Sequence, residues 1–224
     1  MPTVLVTGAN RGIGFQLAKQ LKERGDSVIA TCRKSNDELD ALGVQVEEGV
    51  DVSDDGSVQA LAQRLGDTQL DLLINNAGVL TPDGLDEPDI EGIRRQFEIN
   101  ALGPVRVTSA LLPRLGAGSK VAHITSRMGS IADNSSGGMY GYRMSKAALN
   151  MAGMSMAKDL QKKEVAVAIL HPGMVATDMT SRFGHGPNFQ QADETATMLI
   201  QRIDELDMSN SGTFWHAKGE VLPW

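Results

Sequence analysis

Short apolar, β-rich runs alternate with longer segments of helical spacing along the whole chain. The runs are TVLVT (3–7), SVIATC (27–32), VQVEEG (44–49), LDLLIN (70–75), SKVAHIT (119–125), VAVAIL (165–170) and SGTFWH (211–216). Between them, residues 12–24, 54–65, 89–115, 141–163 and 192–206 carry apolar residues at three-to-four spacing, and Asp37 and Glu38 start a further short helix. Several runs are apolar at almost every position, as strands are when both faces are covered. Strand–helix alternation with right-handed crossovers predicts an α/β fold, a doubly wound three-layer sandwich around a seven-stranded, mostly parallel sheet. Residues 174–191 show no period and follow the sixth strand, so they are expected as a lid loop over the carboxyl edge of the sheet.

Composition narrows the class. The 224 residues suit one domain, 1–224, with no linker, repeat or low-complexity block. A net charge of −7 without a polybasic run argues against a nucleic-acid or membrane-surface partner. The single cysteine, Cys32, allows no intrachain disulfide, and a strand from Thr3 leaves no room for a signal peptide, so a reducing, cytoplasmic location is expected. Four scattered histidines offer no metal-ligand spacing, and no metal is expected.

The first strand runs through TGANRGIG into a helix, with Gly8, Gly12 and Gly14 spaced GxxxGxG. Glycines permit the tight turn and a close backbone approach, and the helix N-terminus offers free N–H groups to a pyrophosphate. This predicts a Rossmann-type dinucleotide site. Further marks follow in order: NNAG at Asn75–Gly78, Asn100 within a long helix, Ser126 in HITSRMG, Tyr142 and Lys146 in YRMSK, and PGMVATDM from Pro172 to Met179. Together they resemble the short-chain dehydrogenase/reductase family over essentially the whole chain. YGYRMSKAALNM and the ending GTFWHAKGEVLPW resemble its C-factor-like carbonyl reductases.

The residue chemistry agrees with that resemblance. Tyr142 and Lys146, four apart on a helix, share a face, and the ammonium is expected to favour phenolate. Tyr142 is then the general acid toward a carbonyl oxygen; Tyr140 has Met144 four residues on and lacks the cation. Ser126, at a strand's carboxyl end, can bond the substrate carbonyl, with Thr125 facing the other way. The resemblance implies that the Asn100 backbone carbonyl holds a water linked to the lysine, and that Lys146 bonds the nicotinamide ribose. It also implies cofactor contacts from Asn10, Arg11 and Ile13 in the loop, from Val52, from Asn76, Ala77 and Gly78, and from Pro172, Gly173, Val175 and Thr177. Asp51 has two readings: the adenine edge, or an N-cap for the helix near Ser53.

NAD-preferring sites end the second strand with an acid; here Cys32 stands there, followed by Arg33. A guanidinium suits a 2′-phosphate, and Arg11 holds the loop position where NADP-using members of the family often carry a base. NADP(H) is therefore the expected cofactor.

The expected function is NADPH-dependent reduction of a small apolar aldehyde or ketone. Met128, Met139, Met174, Met179 and Phe183 are the candidate pocket lining. The alternative is a dinucleotide-binding signalling protein of C-factor type with little turnover. A hydrolase reading of GMSMA fails, because Ser155 falls within a helix rather than after a strand. Continuous apolar character on helices 89–115 and 141–163, with the habit of the family, implies a homodimer through those helices.

Overall fold

A computed structural model describes all 224 residues. The strands β1 (Thr3–Thr7), β2 (Ser27–Thr31), β3 (Gln45–Glu47), β4 (Leu70–Asn75), β5 (Leu115–Ile124), β6 (Ala166–His171) and β7 (Phe214–His216) form one sheet. Their order is β3-β2-β1-β4-β5-β6-β7. Every ladder is parallel, so the sheet is parallel throughout rather than mostly. The antiparallel contact between Trp215 and Val221 is an isolated bridge in the tail.

Both faces of the sheet are covered, which explains the unbroken apolar runs. In β1, Val4 and Val6 point into one half of the core, with Leu17 and Leu21 of α1 (Gly12–Arg24) and Leu199 of α7 (Ala192–Asp204). That half also takes Leu39 from the short α2 (Asp37–Asp40). Leu5 points into the other half, with Val58 and Leu61 of α3 (Asp55–Arg64) and Val107 and Leu111 of α5 (Gly103–Leu111). α4 (Ile90–Phe97) packs beside α6 (Tyr140–Asp159) over the same face. No helix is long and apolar enough to cross a membrane.

The spacing over 89–115 predicts one helix, and here the structure differs. After α4 the chain makes a π-helical turn over Glu98–Leu102, then α5, then a 3-10 turn over Leu112–Arg114. Pro104 supplies no N–H to the carbonyl of Asn100, so the regular ladder cannot pass this point. The helical pattern also ends early, since β5 begins at Leu115; its pairing with β4 shifts register between Leu70 and Leu72. The segment expected as a lid holds a single 3-10 turn at Ser181–Phe183, and its base is closed by a bridge between Val175 and Gln190.

Candidate active site

Strand order reverses at β1 and β4, and their carboxyl ends meet there. The last residue of β1, Thr7, stitches the two loops together. Its Oγ1 accepts from the backbone N–H groups of Asn76 at 3.0 Å and Ala77 at 3.1 Å. Asn76 Nδ2 returns bonds to the carbonyls of Thr7 at 3.0 Å and Gly8 at 3.1 Å. The glycines make this approach possible. Gly8 sits at φ +66°, and a Cβ there would come within 2.9 Å of Ala77 Cα; a Cβ on Gly14 would strike the Gly8 carbonyl and the Asn76 amide. Thr7 escaped the sequence reading, although its place just before the first glycine, at the end of a strand, was the available signal.

The reversal opens a cleft of about 970 Å³. Each expected cofactor residue from Gly8 to Gly78 lines it, and so does Thr177. Pro172, Gly173, Val175 and the two other expected cofactor contacts, Tyr142 and Lys146, stand outside the lining; Val175 is instead buried at the lid base. Lys34, Glu38, Val79 and Ile99 line the cleft unanticipated by the motifs. The cleft fits a dinucleotide: the N-terminus of α1 faces it, and the strand-end position after β2 is the buried Cys32. Arg33 has no ion-pair partner, whereas Arg11 is 3.2 Å from Asp178 of the lid segment. Asp51 Oδ1 accepts from the Ser53 backbone N–H at 2.9 Å and hydroxyl at 2.6 Å. The Ser53 bonds hold its carboxyl below the usual range, against the opposing effect of burial. Asp51 does not cap α3: Asp54 does, accepting from the Ser57 N–H at 2.6 Å.

At the end of β5 three side chains converge. Tyr142 and Lys146, one turn apart on α6, are both buried. Lys146 Nζ lies 5.8 Å from the centre of the Tyr142 ring and donates to the Ile124 carbonyl at 2.9 Å. Ser126 Oγ accepts from the Met128 N–H at 3.1 Å, and its hydroxyl stands on the phenol side of the site, where it acts to lower the Tyr142 pKa. Thr125 turns away, donating to Asn150 Oδ1 at 2.6 Å. The turn after Ser126 lies directly on α6 because Gly129 has no Cβ, which would otherwise sit 2.6 Å from the Lys146 carbonyl carbon. Tyr140, by contrast, is exposed.

Burial corrects the expected electrostatics. It pushes the Tyr142 phenol up to about 12, with the Ser126 hydroxyl pulling the other way, and it brings the Lys146 ammonium down to about 8. The cation was expected to favour phenolate; the shift runs upward instead because desolvation is its largest cause, and the phenol, already protonated at neutral pH at its ordinary value, stays so. The side chain of Asn100 is fully buried and bonds Val79 and Ser145, leaving its backbone carbonyl in the π turn. Of the apolar candidates, Met179 lines the cofactor cleft. Met128, Met139, Met174 and Phe183 stand outside it, with Met174 and Phe183 about half exposed on the lid, so the structure assembles no closed apolar pocket from these four around the cleft.

The fold, the glycine cradle and the buried Ser/Tyr/Lys set define an oxidoreductase of the short-chain dehydrogenase class. The family model for short chain dehydrogenase matches residues 2–188, and the chain belongs to that family. It is 47% identical over 226 residues, covering all of both chains, to 1-hydroxy-2-glutathionyl-2-methyl-3-butene dehydrogenase of Rhodococcus sp. (strain AD45). It is 46% identical over 171 residues to C-signal of Myxococcus xanthus, covering 75% of this chain and 100% of that one. Among solved structures, the NADPH-bound carbonyl reductase from chicken fatty liver superposes with a TM-score of 0.90 at 29% identity, over 100% of this chain and 99% of that one.

Proposed function

We propose that the protein is an NADPH-dependent reductase of aldehydes or ketones in which Tyr142 donates the proton. The observation that carries this reading is the burial of Ser126, Tyr142 and Lys146 together at the carboxyl end of β5. Bound in the cleft, NADPH would supply the hydride to the carbonyl carbon. Ser126 holds the carbonyl oxygen beside the phenol, and Tyr142, protonated at neutral pH, transfers its proton to that oxygen. Lys146 provides positive charge near the phenolate left behind, and its ammonium is oriented by Ile124. A regulatory protein that only bound the dinucleotide would have no use for an acid in this position.

Two features support NADPH over NADH. No carboxylate ends β2, and Arg11, Arg33 and Lys34 line one cleft. The Arg11–Asp178 pair is largely exposed and contributes at most about 1 kcal/mol, so a 2′-phosphate can take Arg11 over. A homodimer through α4, α5 and α6 is part of the same proposal, supported by exposed Phe97, Val105, Met144 and Met151 on those helices.

Three outcomes are expected. Tyr142→Phe lowers kcat for reduction at least about a hundredfold with NADPH binding unchanged; equal rates remove Tyr142 from the mechanism. The assay panel includes reactive aldehydes, diketones and, run in reverse, a glutathionyl alcohol; no turnover on any of them favours the signalling alternative. Arg11→Ala and Arg33→Ala each raise the Kd for NADPH by roughly ten- to a hundredfold, the range for losing a charged hydrogen bond, and leave NADH nearly unaffected. A parallel loss for both cofactors contradicts phosphate recognition. Sedimentation equilibrium is expected to give twice the 23.9 kDa chain mass, and Met151→Glu the single mass; a wild-type monomer refutes the dimer.

A further inference from the structure

The strand β4 leads into a strap, residues 79–83, held by two amides one helical turn apart. Gln96 at the end of α4 accepts from the Thr81 N–H at 3.0 Å and donates to the Thr81 carbonyl at 3.1 Å. Asn100 in the π turn does the same to Val79, both bonds at 2.8 Å. Each amide pairs with the strap backbone as a neighbouring strand would. Both side chains are fully buried, so these bonds are shielded from competing water.

The strap ends on α6. Asp83 Oδ2 accepts from the Gly141 N–H at 2.7 Å, and the Asp83 carbonyl accepts from the Met139 N–H at 3.2 Å. The helix has no side-chain cap of its own: Met139 occupies the N-cap in the left-handed region, at φ 54° and ψ 43°, without a cap bond. A β-carbon on Gly141 would come within 2.5 Å of Gln96 Nε2 and 2.8 Å of Asp83 Oδ2, so glycine is what admits both groups. The residue after Gly141 is Tyr142. A carboxylate at this end also complements the partial positive charge of the helix terminus.

We propose that Asp83 is a positioning residue for Tyr142. It caps α6 from the strap, and so fixes the height and rotation of the first helical turn at which the phenol meets Ser126. The strap in turn is indexed by Gln96 and Asn100, so the buried amide pair and the proton donor form one connected support. Asp83 touches neither substrate nor cofactor in this role, and the inference rests on Tyr142 being the proton donor.

A double-mutant cycle tests it. Asp83→Ala is expected to lower kcat by about ten- to a hundredfold, the scale set by small misplacements of reacting groups, with the Kd for NADPH unchanged. Asp83→Asn keeps an acceptor for Gly141 and is expected to stay near wild type. Asp83→Glu keeps the charge but displaces the oxygen, so it loses kcat with Asp83→Ala and serves in its place should the alanine variant fail to fold. In a Tyr142→Phe background the same substitutions are expected to cost almost nothing further, which a merely structural role would not produce. Wild-type kcat in both Asp83→Ala and Asp83→Glu, or the same fold-loss in both backgrounds, overturns the proposal and leaves Tyr142 as the acid. A wild-type rate in Tyr142→Phe itself removes the proton-donor reading, and this inference with it.

Discussion

The ammonium of Lys146 lies inside the protein, where its one protein acceptor is the Ile124 carbonyl at 2.9 Å. Taking a cation out of water is costly, and the cost appears here as an ammonium drawn down to about 8. The surrounding structure makes the burial tolerable. β5 stops at Ile124, Gly129 allows the next turn to sit on the α6 backbone, and Thr125 bonds Asn150 across the same gap. These contacts hold α6 against the sheet, and the phenol one turn before the lysine shares its desolvated space. Dryness therefore acts on both groups against charge: it raises the phenol and lowers the ammonium, while the fold still holds the lysine one turn from where phenolate would form.

The cofactor end depends on backbone proximity. Thr7 and Asn76 knit the ends of β1 and β4, and the glycines at 8 and 14 leave no side chain between them. The adjacent loop is drawn in by two asparagines: Asn10 Nδ2 donates to the Lys34 carbonyl at 2.9 Å, and Asn36 Nδ2 donates to the Asn10 carbonyl at 2.8 Å. Arg11, Arg33 and Lys34 thus reach one cleft from two separate loops. The tail contributes at the opposite side, where Arg127, next to Ser126, pairs with Asp133 at 3.0 Å and with Glu220 at 3.1 Å.

Much of this was legible in the sequence because strands buried on both faces write themselves as apolar runs, and β1, β4 and β6 fall where those runs predict. The glycine loop and the Tyr142/Lys146 pair were legible because each needs particular residue types at fixed spacing. What stayed hidden depends on distant contacts. The π turn requires knowing that Pro104 withholds an N–H within a pattern that otherwise reads as helix. Thr7, Gln96 and Asp83 act through backbone groups remote in sequence, which no local period reports. The direction of the Tyr142 shift was misjudged for a related reason: spacing reveals the neighbouring cation but not the depth of burial. Asp51 was read as a possible cap for α3, and the geometry assigns that role to Asp54, three residues on.

Burial, more than any neighbouring group, sets the direction of the Tyr142 shift, which is upward. The chain has two tyrosines, so Tyr140→Phe leaves Tyr142 as the only one. Ultraviolet titration of that variant is expected to show tyrosinate forming only near pH 12, and later still when Ser126→Ala removes the hydroxyl that opposes the shift. Ionisation at or below about 10, the ordinary value for tyrosine, contradicts the account.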